Sequence, residues 1–363
     1  MLLLAVTGCT SSPGERSDPD LPRGVTGTLP GVLLAAPVPD GEEVRHPTFR
    51  VLLDLIEGTP AGEQIRIVGN SFSYVPVAEA LAAAHERGVV VQVILYDAAS
   101  QEWKAPALLR EALGEDRSAA SYLYLAPGGV HQKVWSFSRT GQWRDVVLVG
   151  SLNLTYHSAG QYTDVFSWVD RPDVRRAFDR RFEQLARTLP DPPSFGPVDL
   201  GRDRAWFFPG YTPASDPLRQ QLAAVPPAGA RIRVVMYAWL DQRGLDLAEL
   251  LVAKDAAGAD VEVVLGASTG PLVRDVLEGT GVEVHLGVFA NGDDVHHKLT
   301  VVSHPAPGGG TTRFVLTGSD NYTTKSLGRP ELLLRLDGSR GGTWRRYDAW
   351  VDRLVARGGR EQG

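Results

Sequence analysis

The chain has 363 residues, 43% of them hydrophobic and 22% charged, and a net charge of −6. It is longer than one ordinary domain and too evenly composed for a disordered or fibrous chain. Its acidic balance excludes a protein whose whole surface coats a polyanion, although a local cationic pocket can sit on an acidic protein.

The N-terminus reads MLLLAVTGCTSSPGERSDPD, and Cys9 is the one cysteine, so no internal disulfide can form. A short apolar run, small residues, a cysteine and a polar stretch resemble the signal sequence of a bacterial lipoprotein. The resemblance implies that Val6, Thr7, Gly8 and Cys9 form a lipobox and that Cys9 is the lipidated new N-terminus, although the usual basic leader is missing. The expected location is therefore outside the cytoplasm, anchored to the outer face of the bacterial cytoplasmic membrane, or secreted. No later stretch approaches the ~18 apolar residues of a membrane span. Residues 10–25 are polar and read as a tether.

From there the pattern is β-α-β, twice. EQIRIVGNSF reads as a strand, VPVAEALAAAHERG as a helix with Pro76 near its start and Gly88 at its end, and VVVQVILYD as a buried strand. RTLPDPPSFGPVDLGRD, residues 187–203, is dense in Pro and Gly and reads as a linker. Beyond it, ARIRVVMYAW is a strand, LDLAELLVAKDAAG a helix closing on Gly258, and ADVEVVLGA a strand. Such units imply parallel strands joined by right-handed crossovers. The two regions are copies. Ile65 to Ile232 is an offset of 167, Gly88 to Gly258 of 170, His131 to His296 of 165, and Gly150 to Gly318 of 168. A near-constant offset across unrelated residue types indicates duplication. The expected layout is a signal and tether over 1–25, one domain over 26–190 and a second over 191–363.

Each copy continues with a His-x-Lys pair, a predicted strand (KVWSF, KLTVV), a Gly-rich loop, a second strand (DVVLVG, RFVLTG) and then Gly-Ser-x-Asn. His and Lys are expected on one strand, facing the same way, with Ser and Asn past the end of the next strand. Only five of 37 basic residues are Lys, and two of these sit in the His-x-Lys pairs, where a compact ammonium suits better than a planar guanidinium.

One His-x-Lys pair alone is a weak signal. Two, each followed by Gly-Ser-x-Asn, resemble the phospholipase D superfamily. The matched residues are His131, Lys133, Gly150, Ser151 and Asn153, then His296, Lys298, Gly318, Ser319 and Asn321. The resemblance implies two duplicated α/β/α sandwich domains with mixed β-sheets packed together and helices outside. It departs from the family pattern where an Asp is expected after each His-x-Lys. Ser138 and Ser303 stand there. In the family that Asp mainly supports the fold near the site. With every polar group closer to the phosphate kept, an alternative support is expected.

These residues suit phosphodiester chemistry on physical grounds. One imidazole can attack phosphorus and form a phosphohistidine, while the other protonates the leaving alkoxide and then activates water or an alcohol. Their environments must differ, because one ring is needed neutral and one charged. Lys133, Lys298, Asn153 and Asn321, helped by the hydroxyls of Ser151 and Ser319 as substrate contacts, supply charge and donors to the phosphate oxygens. No cofactor or metal is required, and the sequence shows no carboxylate/His cluster with ligand spacing. Asp164 and Glu331 follow the two Gly-Ser-x-Asn motifs. The resemblance implies that each reaches the other copy's histidine, pairing Glu331 with His131 and Asp164 with His296, and that His131 is the nucleophile.

His297 should face away from His296, and His46, His85, His157, His285 and His304 match no motif and read as surface residues. Trp103, Trp135, Phe137, Trp143, Tyr237 and Trp239 cluster near the motifs and read mostly as core, some as lipid-facing. The expected activity is hydrolysis, or transfer to alcohols, of phospholipid head groups at a membrane surface, with no obligate protein partner. The alternatives are a metal-independent endonuclease, disfavoured by the acidic chain, and a non-catalytic scaffold.

Overall fold

The computed structural model describes residues 29–97, 103–339 and 342–361. Cys9 and the expected tether lie outside them. Among the described residues, no helix is long and apolar enough to cross a membrane.

The first copy runs β1 (Val32–Ala35), α1 (Pro47–Glu57), β2 (Gln64–Gly69), α2 (Val75–Glu86), β3 (Val90–Tyr96), α3 (Lys104–Leu113) and β4 (Tyr122–Ala126). It continues with β5 (Val134–Thr140), β6 (Trp143–Gly150), α4 (Tyr156–Ala159), β7 (Gln161–Trp168) and α5 (Pro172–Thr188). The second runs β8 (Pro197–Leu200), β9 (Asp203–Phe207), α6 (Pro217–Ala223), β10 (Arg231–Trp239), α7 (Asp241–Ala256), β11 (Asp260–Thr269), α8 (Pro271–Leu277) and β12 (Glu283–Leu286). It ends with β13 (Asp294–Val295), β14 (Lys298–Pro305), β15 (Thr311–Gly318), α9 (Thr324–Leu327), β16 (Leu332–Asp337) and α10 (Thr343–Glu361).

The repeat is visible in the topology. One sheet has the order β1-β7-β6-β5-β2-β3-β4 and the other β12-β11-β10-β14-β15-β16-β9-β8. In both, the β-α-β strands pair in parallel and the motif strands pair antiparallel. Small irregular contacts repeat as well: Phe72 bridges Leu154 as Trp239 bridges Tyr322. The expected linker is shorter than its composition suggests. Helix α5 continues to Thr188, and β8 and β9 form a hairpin that extends the second sheet, with β9 paired to β16 and sending Ala205 and Phe207 into one core and Trp206 into the other.

The inner faces of both sheets share one core, with Val68, Val134 and Val149 from the first and Val235, Leu299 and Val315 from the second. Helices α5 and α10 pack into this core rather than lying outside it. The reason is in their pattern: α5 buries Val174, Ala177, Phe178, Phe182 and Leu185 at helical spacing. Each sheet's other face carries its own core, under α1–α3 in one case and α6–α8 in the other.

Of the five histidines read as surface residues only His157 is exposed; His85 and His304 are half-buried. His285 is half-buried between Glu262 and Glu283. His46 is fully buried against Phe49, and neither ring nitrogen has a partner. Burial lowers its pKa from 6.5 to about 4. The native state thus keeps the ring neutral while the unfolded chain takes up a proton below pH 6.5, so stability is lost as pH falls from 6.5 towards 4. We expect His46→Phe to stabilise the fold by about 1–2 kcal/mol at pH 7, by removing unpaired polar atoms, and by more at pH 5. Thermal melts at the two pH values check this. A variant that melts lower at both would contradict it.

Candidate active site

The two His-x-Lys segments meet where the two copies touch. The His131 N–H donates to Pro330 O, and the His296 N–H donates to Tyr162 O, both at 2.9 Å. Strand β13 adds to β7 in parallel just before His296. The His and Lys do not share a strand, as the sequence led one to expect. His131 and Lys133 precede β5, and His296 precedes β14. In this lead-in each Lys turns its amine back on its own His: Lys133 Nζ donates to His131 O at 2.6 Å and Lys298 Nζ to His296 O at 2.7 Å.

The Gly of each Gly-Ser-x-Asn motif permits a close approach. A Cβ on Gly150 would lie 2.1 Å from Asp164 O, and one on Gly318, at φ +133°, 2.3 Å from Leu332 O. The absent side chains let Ser151 N–H reach Asp164 O and Ser319 N–H reach Leu332 O, each at 2.9 Å. Both serine hydroxyls are fully buried and occupied by the protein. Ser151 Oγ accepts from Asp164 N at 3.0 Å and donates to Asp164 Oδ1 at 2.8 Å. Ser319 Oγ accepts from Leu332 N at 2.9 Å and donates to Glu331 at 2.6 Å. Each hydroxyl has one proton and has used it, so these serines tie the site together from behind instead of contacting substrate. Asn153 and Asn321 each leave a buried amide oxygen without a protein partner, so these two side chains are not tied into the frame as the serines are.

The two acids do different things. Glu331 is fully buried and takes His131 Nδ1 at 2.8 Å, as expected. It also accepts from Ser319, Ser326 and, at 2.8 Å, Arg329. Burial works against its charge, but His131 and Arg329 outweigh burial and hold the carboxyl at about 2. Asp164 does not pair with His296. It accepts from Ser151 Oγ, from Thr317 Oγ1 at 2.5 Å and from Tyr347 OH at 3.2 Å. The cause is register. Asp164 bonds Ser151 through its backbone as Leu332 bonds Ser319, and Tyr162 holds His296 as Pro330 holds His131. Thr163, one residue earlier, therefore occupies the place of Glu331. Side chains of neighbouring strand residues point to opposite faces, so Asp164 is turned away. His296 Nδ1 instead meets the Ser151 carbonyl at 2.8 Å.

Both Nδ1 atoms thus face acceptors and carry protons, which leaves both Nε2 atoms free for the site. Burial lowers His131 to about 3, against the pull of Glu331, and His296 well below its ordinary value, with Lys298, Lys133 and His131 adding to the effect. Burial also lowers Lys133 to about 7 and Lys298 well below the usual lysine range. Four basic groups crowded into a buried space with one carboxylate give up protons readily while the site is empty, and an incoming anion would favour their charged forms.

Other expectations divide. His297 is buried and accepts from Trp350 Nε1, a packing role. Trp135, Phe137, Trp143 and Trp239 are core, and Trp103 is exposed. Ser138 has the alternative support expected of it: it accepts from Gln64 N and donates to Glu63, both at 2.7 Å. The carboxylate missing from the motif is returned by Glu63 on the approach to β2. A cluster with ligand-like spacing, which the sequence did not reveal, does assemble from Glu262, Glu283 and His285. It stands apart from the motifs, and Arg233 already holds Glu262 at 2.5 Å. Tyr237, Arg329 and Thr163 are the site residues that sequence reading missed. Thr163 follows from the 168-residue offset that relates Gly150 to Gly318, since it stands 168 residues before Glu331.

Paired imidazoles tied at Nδ1, each with a buried lysine beside it, thus stand at the meeting of two α/β copies. Residues 52–186 match the family described as "Cardiolipin synthase, PLD-like domain". With the motif pair, this likens the first copy of the repeat to the phospholipase D-like domains. No curated protein matches the chain significantly. Among solved structures, a polyphosphate kinase from Porphyromonas gingivalis superposes with a TM-score of 0.57 at 16% identity, over 89% of this chain and 49% of that one. The chain spans about half the length of that kinase, and the likeness is one of fold. A yeast tyrosyl-DNA phosphodiesterase variant matches at 9% identity over 80% and 85% of the two chains, with a TM-score of 0.48. Nuc from Salmonella typhimurium, a phospholipase D family member, matches at 19% identity over 42% and 91%, with a TM-score of 0.33.

Proposed function

We propose that the chain is a phosphodiesterase that hydrolyses phospholipid head groups, or passes the phosphatidyl group to an alcohol, through a covalent phosphohistidine. The observation that carries this reading is the unequal pair of imidazoles. His131, with an ionised Glu331 on Nδ1, is the ring able to bear positive charge on becoming bonded to phosphorus. His131 Nε2 attacks phosphorus and the bond to the leaving alkoxide breaks. His296, protonated once the phosphate has brought its negative charge into the site, gives its Nε2 proton to that oxygen. It then takes a proton from water, whose oxygen attacks phosphorus and frees His131. Lys133, Lys298, Asn153 and Asn321 hold the phosphate oxygens throughout. The lipid part of the reading is supported by Leu240 and Leu272, which are 38% and 64% exposed. They stand just beyond the C-terminal ends of β10 and β11, the edge of the sheet at which His296 sits.

The test is incubation with phosphatidylcholine vesicles, and separately with DNA and RNA, in EDTA. Choline release without added metal is expected. On a soluble diester, kcat/KM should fall above about pH 7 as Lys133 of the free enzyme loses its proton. Cleavage of nucleic acid but not lipid would establish the nuclease instead. A strict metal requirement would overturn the two-histidine scheme, and inertness towards every diester would leave the scaffold.

A further inference from the structure

Tyr237 is half-buried on β10 and belongs to neither motif. The parallel ladder between β10 and β11 breaks at this residue. Met236 pairs with Leu265, but Ala238 pairs with Ser268, so Tyr237 alone faces Gly266 and Ala267. This is a β-bulge, a device that re-aims a side chain. It needs glycine opposite: a Cβ on Gly266 would lie 2.6 Å from Tyr237 Cα and 2.9 Å from both Met236 O and Tyr237 O. The result is a ring set against the active site. Its centroid is 4.5 Å from that of His296, and Lys298 Nζ sits over its face at 4.7 Å. The first copy has nothing like it. Its β2–β3 ladder runs unshifted through Gly69 and Leu95, and Asn70 follows.

The two histidines thus have different company. His131 has the Glu331 carboxylate. His296 has a neutral carbonyl, and Thr163 in the place of the acid has a buried hydroxyl without a partner. The charged groups acting on His296 are Lys298 from its own segment and Lys133 and His131 from the first copy, all basic. A carbonyl bond at one nitrogen leaves the ring free to swing about that bond. The aromatic wall removes this freedom, keeps water from the imidazole and the ammonium, and offers Lys298 the negative face of its ring.

We propose that Tyr237, delivered by the Gly266 bulge, is the positioning residue of His296, doing for the acid/base imidazole what Glu331 does for His131. The inference rests on the two-histidine reading above. It divides labour by the type of partner: a charge for the ring that must carry phosphorus, and a neutral wall for the ring that must surrender a proton.

Two measurements test it. The first is an NMR titration of the imidazole Cε1–H signals in the wild type, Tyr237→Phe and Tyr237→Ala. In Tyr237→Ala, His296 should titrate closer to pH 6.5 while His131 moves little, and Tyr237→Phe should match the wild type. The second compares diesters with a p-nitrophenolate and an alkoxide leaving group. Tyr237→Ala should lose about 100-fold in the rate of the first, alcohol-releasing step on the alkoxide, which needs the acid, and less than about fivefold in the burst rate on p-nitrophenolate. An unmoved His296 titration, or equal losses on both substrates, would overturn the proposal. If the wild type cleaves neither diester, the functional reading falls, and the titration still decides the role of Tyr237.

Discussion

His131→Ala is expected to lower kcat on a phosphodiester by about four orders of magnitude, and His296→Ala by nearly as much on an alkoxide leaving group. The double variant should be little worse than either, because groups that act as one unit do not contribute additively. The first loss follows from removing the nucleophile. The second follows from removing the proton donor, and in the first step, read as the burst of released alcohol, it should shrink when the leaving group is p-nitrophenolate, which departs without help. That contrast allows a direct assignment. With p-nitrophenolate as leaving group, His296→Ala still forms the covalent intermediate but lacks the base that activates water, so the phosphorylated enzyme accumulates. Peptide mass spectrometry should locate the acid-labile phosphoryl group on His131. A label elsewhere would reverse the roles. The variants should stay folded. His131 is held by its backbone as well as its ring, and Arg329 remains as counter-charge to Glu331 when the imidazole is gone.

The duplication and the paired motifs were legible in the sequence because both depend on short-range pattern. Two β-α-β units and two His-x-Lys…Gly-Ser-x-Asn motifs reveal themselves by spacing, and the structure places β2–β3 and β10–β11 accordingly. What pattern could not supply was register. Asp164 and Glu331 look equivalent because each follows a motif closely. Yet the backbone bonds of Ser151 and Ser319 make Asp164 the counterpart of Leu332, not of Glu331, and one residue of slip turns a side chain to the other face. The support for Ser138 was hidden for another reason: Glu63 lies 75 residues away along the chain. Tyr237 was visible as an aromatic near a motif, but only the bulge opposite Gly266 turns it onto His296. His46 shows the limit of motif logic. It matches nothing, and is nonetheless fully buried.

Glu331→Gln is expected to lower kcat by about 10²- to 10⁴-fold with little change in KM. The amide keeps the size of the carboxylate, and its oxygen can still accept the His131 Nδ1–H at 2.8 Å. What is lost is charge, and charge matters most when His131 is bonded to phosphorus and bears a positive ring. The chemical step should therefore suffer and binding should not. Stability should fall too, by about 3 kcal/mol, because Arg329 loses the ion pair that satisfies it in a largely buried place. The acid dependence has a definite sign. In the folded state Glu331 is held at about 2, below the ordinary value of 4.5, so its stabilising contribution is full above pH 4.5 and disappears as pH falls through 2. The variant should lack that dependence. Asp164→Asn is the decisive comparison. Asp164 is as buried and as fully bonded, but it touches Ser151, Thr317 and Tyr347 and no imidazole. It should destabilise the fold while leaving kcat within about tenfold of the wild type. If Asp164→Asn instead slows the chemistry as severely as Glu331→Gln, the one-sided arrangement of the two imidazoles does not survive, and both histidines must work with a carboxylate behind them.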